Sequence, residues 1–352
     1  MKTKLIALTI LFSACSTNFS CSKSQPDYMK RVVINVAGSF GGGYVDATGK
    51  DAKFNSPVDV AVDRSGNIFV ADGKNSRIRR ITPSGEVSTF AGNGAIDWVD
   101  AEGVHASFLY PFTLVFDKLG NLYVSDGHIR KISTSGQVST IGTHYSYGGP
   151  LTDGPLSTAT FSNVGGIAVD DDGNIYFSDG DALKCAVRKI SSSGIVTTMA
   201  GGGSPGFSNG TRFQARFDGI PRMAVDLLGN VYVVDQGNNR IRKITPEGLV
   251  STFAGSGKFD FGEGIGENAS FAGVKDIALD GNGNMFACDN ANIYKISGAA
   301  EVSRFAGSND PDYSAGQFAT EAKFRYPQGL AVDRQGHVYV ADTDNQLIRM
   351  IK

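Results

Sequence analysis

Apolar and polar positions alternate along this chain in short runs, and the runs return as a set about every 54 residues. Phe marks the repeat at Phe54, Phe108, Phe161, Phe217, Phe271 and Phe324, at spacings of 54, 53, 56, 54 and 53. After each Phe come an apolar run ending in Asp, a tight turn, a second apolar run ending in Asp, a basic run and a fourth run of the Val-Ser-Thr-Phe-Ala-Gly kind. In the first unit these predict strands over 58–63, 67–72, 77–82 and 86–91. The turns Arg64-Ser65-Gly66 and Pro83-Ser84-Gly85 are of hairpin type. No unit carries the 3.6-residue apolar period of a helix, so helical repeats are excluded. A period of this length means a solenoid, a propeller or an array.

The ends of the chain decide among these. The sixth unit, 324–352, has room for three strands only. Residues 31–53, RVVINVAGSFGGGYVDATGKDAK, match the pattern of 87–107, VSTFAGNGAIDWVDAEGVHAS, and supply the missing one. An open array needs capping units, whereas a ring closed by such an overlap hides both edge strands. The expected fold is therefore all-β: a six-bladed β-propeller over 31–352, its last blade closed by the N-terminal strand, with blades starting near 54, 108, 161, 217, 271 and 324.

Three stretches, PVDVAVDRSGNIFVADGKNSRIRRITPSGEVSTFAG, PRMAVDLLGNVYVVDQGNNRIRKITPEGLVSTFAG and PQGLAVDRQGHVYVADTDNQLIRMI, resemble NHL repeats. The resemblance extends over 31–352. It implies a propeller used as a binding platform; a minority of related six-bladed propellers are lyases or lactonases, and fold alone does not choose between them.

The formal charge of −2 gives no basic footprint for nucleic acid. Lys and Arg gather in the third strand of each unit, near the blade rim, where a solvated face is expected. At the N-terminus Lys2 and Lys4 precede LIALTILF and Ser13-Ala14-Cys15. This has the charged, apolar and small-residue layout of a signal peptide and resembles a bacterial lipobox. Residues 1–14 are expected to be a lipoprotein signal peptide, with Cys15 (alternatively Cys21) lipidated. Residues 15–30 would form a polar tether. The expected location is a bacterial cell envelope, lipid-anchored at the outer membrane, and the ring is expected to be monomeric. Cys288 falls in a slot for small residues and reads as buried filler. It lies two blades from Cys185, too far for a disulfide.

Because six units align with one another, positions shared by all read as structural. The Asp ending the first strand (Asp63, Asp117, Asp170, Asp226, Asp280, Asp333) suits a turn in which its carboxylate accepts backbone N–H bonds. The same role is expected for the Asp ending the second strand (Asp72, Asp126, Asp179, Asp235, Asp289, Asp342). Ala two residues before each Phe leaves room for its ring between blades. Trp98 occupies a slot that is apolar in every unit and reads as packing.

Positions that differ are where function can sit. The face carrying the second-to-third-strand loops and the long crossings between blades is the candidate binding surface. There the second unit departs from the repeat, with a short loop carrying His128 and with His144, Tyr145 and Tyr147 after Ile141. The starts of the inner strands, among them Asp59, Thr113, Arg222 and Asp276, are expected to form an uneven polar mouth on the central channel. No cofactor is expected; Asp59 and Asp276 are candidates for a weak Ca²⁺ site. Four His without regular ligand spacing argue against zinc chemistry. The preferred reading is a non-catalytic, envelope-anchored scaffold that takes a protein or glycan on this face. The alternative is a metal-dependent hydrolase or lyase, lactonase-like or amidating-lyase-like, acting at the channel mouth.

Overall fold

The computed structural model describes residues 31–352 except Ala182 and Gln317. The expected signal peptide 1–14, the tether 15–30 and the lipidation candidates Cys15 and Cys21 lie outside the described residues.

Six antiparallel blades stand around a common axis. The first is built from Pro57–Val62, Ile68–Asp72, Arg77–Ile81 and Val87–Ala91, paired in chain order from the axis outward. The inner strands of the next four blades are Thr113–Phe116, Val164–Val169, Met223–Val225 and Asp276–Leu279, and that of the sixth is Gly329–Val332. Each packs against the next, and the sixth against the first. The outermost strand of the sixth blade is Val33–Gly38, antiparallel to Leu347–Ile351. The ring closes as the sequence requires.

The core is divided into six apolar clusters, one between each pair of neighbouring blades. The repeat Phe lies in each, and Ala52, Ala106, Ala159, Ala215, Ala269 and Ala322 are buried beside it. Full burial of one such ring stabilises by about 1.5–3 kcal/mol.

The Asp at the end of each inner strand holds its turn. Asp63 Oδ1 accepts the N–H of Ser65 and Asn67, and Oδ2 accepts Asn67 Nδ2 at 2.7 Å. The sixth blade keeps this geometry with His337 in place of Asn, Nδ1 lying 2.8 Å from Asp333 Oδ2. Asp280→Ala should cost about 1–2 kcal/mol in urea denaturation, since it frees turn donors that the carboxylate now satisfies.

The second Asp also accepts a backbone N–H, as Asp72 does from Asn55, but it has a further partner. Asp72, Asp126, Asp179, Asp235 and Asp342 are buried against Arg79, Arg130, Arg188, Arg242 and Arg349, each fully buried. The expectation of a solvated third strand fails for these five arginines. Each guanidinium also bonds carbonyls of the preceding crossing, as Arg242 Nη2 does to Ser208 O at 2.7 Å. Each lies over the repeat Phe, at 4.5–5.4 Å from its centroid. In the fifth blade Tyr294 takes the place of Arg and donates to Asp289 Oδ2 at 2.9 Å.

The crossings do not stay on one face. Their middles descend the outer edge of the following blade and pair with its last strand, through Thr48–Glu86 and Glu102–Gln137 in the first two blades. In the next three they form short fifth strands, Gly154–Pro155, Gly210–Thr211 and Gly264–Ile265. Outside the fifth blade the buried arginines tie the crossings down, and in the first five blades the crossing partly covers the outer edge.

Candidate functional site

Loop length between the second and third strands sets the relief of the crossing face. The second-strand Asp and its third-strand partner are seven residues apart in the first, fourth and sixth blades. The separation is four in the second blade, nine in the third and five in the fifth. In the seven-residue loops a short 3₁₀ turn folds Asn75, Asn238 or Asn345 back onto the Asp and onto a crossing carbonyl. In the first and fourth blades the same loops place Arg77 over the ring of Tyr44 and Arg240 over that of Phe207, each at 4.1 Å.

The second blade has only Gly127 and His128 there, so a notch opens beside the tall loop of the third blade. Its volume is about 560 Å³, and Trp98, Tyr110, Phe112, His128, Tyr145 and Tyr147 line it. Past Tyr147, Asn163 and Gly165 it continues into a hollow of about 320 Å³ beside Asp181 and Lys184.

His128 is wedged between aromatic rings, 4.2 Å from Trp98 and 4.0 Å from Tyr145 by centroid. Burial, reinforced by the Arg130 charge, pulls its pKa down to about 4, so the imidazole is neutral at pH 7. Tyr145 is mostly buried. Its hydroxyl accepts the Ile129 N–H and donates to Ile141 O, which makes it a brace of the second blade rather than an exposed contact. Tyr147 is 76% exposed and Trp98 49%. Trp98, read from the sequence as packing, is thus part of the notch wall. What could have found it is the short loop, which lacks the arginine that caps the equivalent ring in the first and fourth blades. His144 belongs to the two-residue strand His144–Tyr145, and its side chain is not among those described.

At the axis the structure gathers Asp59, Thr113, Arg222 and Asp276, but as a closed layer rather than an open mouth. Arg222 is 2% exposed and donates to Thr113 Oγ1, Pro221 O, Val58 O and Phe112 O. Its Nε lies 3.9 Å from Asp59 Oδ2 and 3.7 Å from Asp276 Oδ1. Glycines make room for this layer: a Cβ on Gly329 would stand 2.4 Å from Asp59 Cα, and one on Gly166 would meet the Arg222 backbone. Asp59 accepts the Val60 and Leu114 N–H, and Asp276 those of Ile277 and Leu330. With its oxygens bonded this way and a guanidinium between the two groups, the pair is poorly disposed for Ca²⁺. Burial drives the Asp59 carboxyl well above the usual range against the pull of Arg222, and Asp276 to about 6. Beyond Arg222 a lumen of about 330 Å³, lined by the inner strands, runs past Val62 and Phe116 toward the turns of the opposite face.

Cys185 and Cys288 are buried and unpaired, and burial pushes both thiols up, Cys185 to about 12. Among the described residues no group of three or more His, Cys, Asp and Glu gathers as metal ligands.

The family model of the NHL repeat matches residues 54–81 and 324–349, in the first and last blades. Teneurin-3 of Danio rerio is 27% identical over 347 residues, covering 85% of this chain; the chain spans 12% of that relative's length. An auxiliary nutrient binding protein from Bacteroides thetaiotaomicron superposes with a TM-score of 0.68 at 15% identity, covering 92% of this chain and 76% of its own. Virginiamycin B lyase from Staphylococcus aureus gives 0.53 at 13% identity, covering 92% and 99%. At these identities the likeness is one of fold, and the fold hosts both binding proteins and lyases. The chain is a six-bladed β-propeller whose first and last blades match the NHL repeat.

Proposed function

We propose that this chain is a non-catalytic binding scaffold, envelope-anchored through its N-terminus, that takes a protein or glycan ligand in the aromatic groove over the second and third blades. The observation that carries this reading is the local loss of the repeat. The short loop of the second blade leaves a concave, aromatic-lined surface of ligand size beside the third. The chemistry available there supports binding over catalysis. His128, with its pKa near 4, is a weak base at pH 7. The two thiols are held protonated by burial, and the axial carboxylates are bonded into a closed layer. That layer occupies the channel mouth, where the alternative of a metal-dependent hydrolase or lyase places its chemistry.

Thermal melting of the purified chain against soluble glycans and peptides, with EDTA and then with Ca²⁺ or Zn²⁺, tests the reading. A ligand at about 100 times its Kd should stabilise by about 2.7 kcal/mol. The scaffold reading expects such a shift in EDTA, with the ligand recovered unchanged. A shift that needs the metal, or a ligand that is consumed, would establish the enzyme instead.

A further inference from the structure

The groove's own chemistry chooses between the two ligand classes. Each crossing carries an apolar residue at the slot of Tyr44, Trp98, Leu151, Phe207, Phe261 and Tyr313. In the first and fourth blades a guanidinium occupies the face of that aromatic ring. The short second-blade loop has no residue to do this, and among the described residues no Lys or Arg lies over Trp98. His128 meets Trp98 edge-on instead, with their planes at 72°. Trp98 is 49% exposed, close to the 45% of Tyr44 and 43% of Phe207, but it lies in a concave notch with no cation over its face, and the half-buried His128 ring steadies it from one side.

Two polar atoms of the same groove lack hydrogen-bond partners: His128 Nδ1 and Asp181 Oδ2. His128 Nδ1 is 4.0 Å from Asp126 Oδ1, too far for a direct bond, and its ring is neutral. Buried groups of this kind are normally satisfied, so each marks a place where a ligand or water completes the bonding. Asp181 accepts the N–H of Leu183 and Lys184 on Oδ1, which leaves Oδ2 to take a donor. A ligand matched to these features has a flat C–H-bearing face for the Trp98 ring, whose negative π face attracts weakly positive hydrogens. It also carries several hydroxyls and no net charge. Pyranose rings combine these properties. A flat protein surface does not fill a notch of about 560 Å³ as readily, since specific protein interfaces spread over about 800 Å² on each partner.

Resting on the scaffold reading, we infer that the second-blade notch is a subsite for a neutral sugar ring of a glycan. Trp98 is the stacking platform, Tyr147 the outer wall and His128 Nδ1 a hydroxyl partner, with the chain of sugars continuing toward Asp181.

Trp98 is the single tryptophan of the chain, so its emission reports on this site alone. The full chain is titrated with maltohexaose, cellohexaose, xylohexaose and mannohexaose, and separately with tetramethylammonium. The expected result is a saturable emission change with at least one sugar. Calorimetry should then show binding about tenfold weaker in Trp98→Ala, the size of one good aromatic contact, and weakened also in Tyr147→Ala. Tyr147 is exposed enough that its replacement leaves the fold intact should Trp98→Ala fail to fold. No response to any sugar overturns the glycan assignment, and a response to tetramethylammonium alone replaces it with an aromatic cage for cations. Sugar binding unchanged in both variants overturns this subsite but leaves the scaffold reading standing. Cleavage of a bound sugar does the reverse: it ends the scaffold reading and keeps the subsite.

Discussion

Arg242→Ala is expected to destabilise the ring by about 3–5 kcal/mol, a large share of the roughly 5–15 kcal/mol that holds a typical domain together. The guanidinium is fully buried and bonds Asp235 Oδ2 at 2.6 Å, Ser208 O, Asn209 Oδ1 and Arg216 O. Its removal leaves a buried carboxylate without its cation and crossing carbonyls without donors. It also leaves a void over the Phe217 ring, now covered at 5.2 Å. Urea denaturation at pH 7 measures the loss. Adding Asp235→Asn to Arg242→Ala should recover part of it, because the uncompensated charge is then gone. If Arg242→Ala alone costs less than about 1 kcal/mol, the buried pairs are not what fastens the crossings to the blades.

Arg222→Ala should cost as much at pH 8, about 3–5 kcal/mol, for a related reason. Four hydrogen bonds are lost, three of them to other blades, and Asp59 and Asp276 then face each other across the axis without the cation between them. The pH dependence follows from the direction of their shifts. Both carboxyls are raised above 3.8, chiefly by burial, so the folded state holds its protons longer than the unfolded chain. The stability they contribute is complete below the unfolded value and is lost as pH rises, through about 6 for Asp276. In the native chain this part of the stability therefore declines from about pH 4 to pH 7. In Arg222→Ala the protonated forms are favoured further, so the penalty shrinks on going from pH 8 to pH 5. Melting temperatures of both chains across that range are the check, and a penalty that grows on acidification would contradict this account of the axial layer.

The two buried arginine systems differ in how far the sequence disclosed them. Arg222 stands at a position occupied by Asp, Thr and Gly in the other units, and that variation singled it out. What the pattern could not convey is that the strand starts converge on one axis. There a single long side chain reaches Val58, Phe112 and Thr113, and glycines at 166 and 329 are small enough to let it. The third-strand arginines went the other way. In Arg77-Ile78-Arg79-Arg80 three cations look alike, and one of them, Arg79, is fully buried. Its partners, Asp46 and Asp72, lie 33 and 7 residues away. They meet it only because the crossing descends the blade edge.

For the site, the sequence marked the second unit as the place where the repeat fails, and His128, Tyr145 and Tyr147 do lie together there. The structure gives Tyr145 and Trp98 places that the sequence did not suggest. Tyr145 resembles a free aromatic in a long crossing, yet its hydroxyl closes a pair of backbone bonds. Trp98 resembles packing because every unit has an apolar residue in its slot. A slot tells which way a ring points, but not whether a neighbour covers it, and that depends on a loop 30 residues away.

What the sequence determined by itself is the repeat and everything the repeat entails: strand count, the turn-holding role of the first Asp, the wedge of Phe and Ala, and closure by residues near the N-terminus. These follow from local periodicity and from a ring's need to leave no strand edge open. The tertiary structure alone decided which charges are buried, that the axis is sealed on the crossing face, and that the Trp98 ring lies in a notch with no cation over it. Each of these depends on contacts between segments that sequence spacing does not relate, where burial changes what a charge costs and what a neighbour leaves exposed.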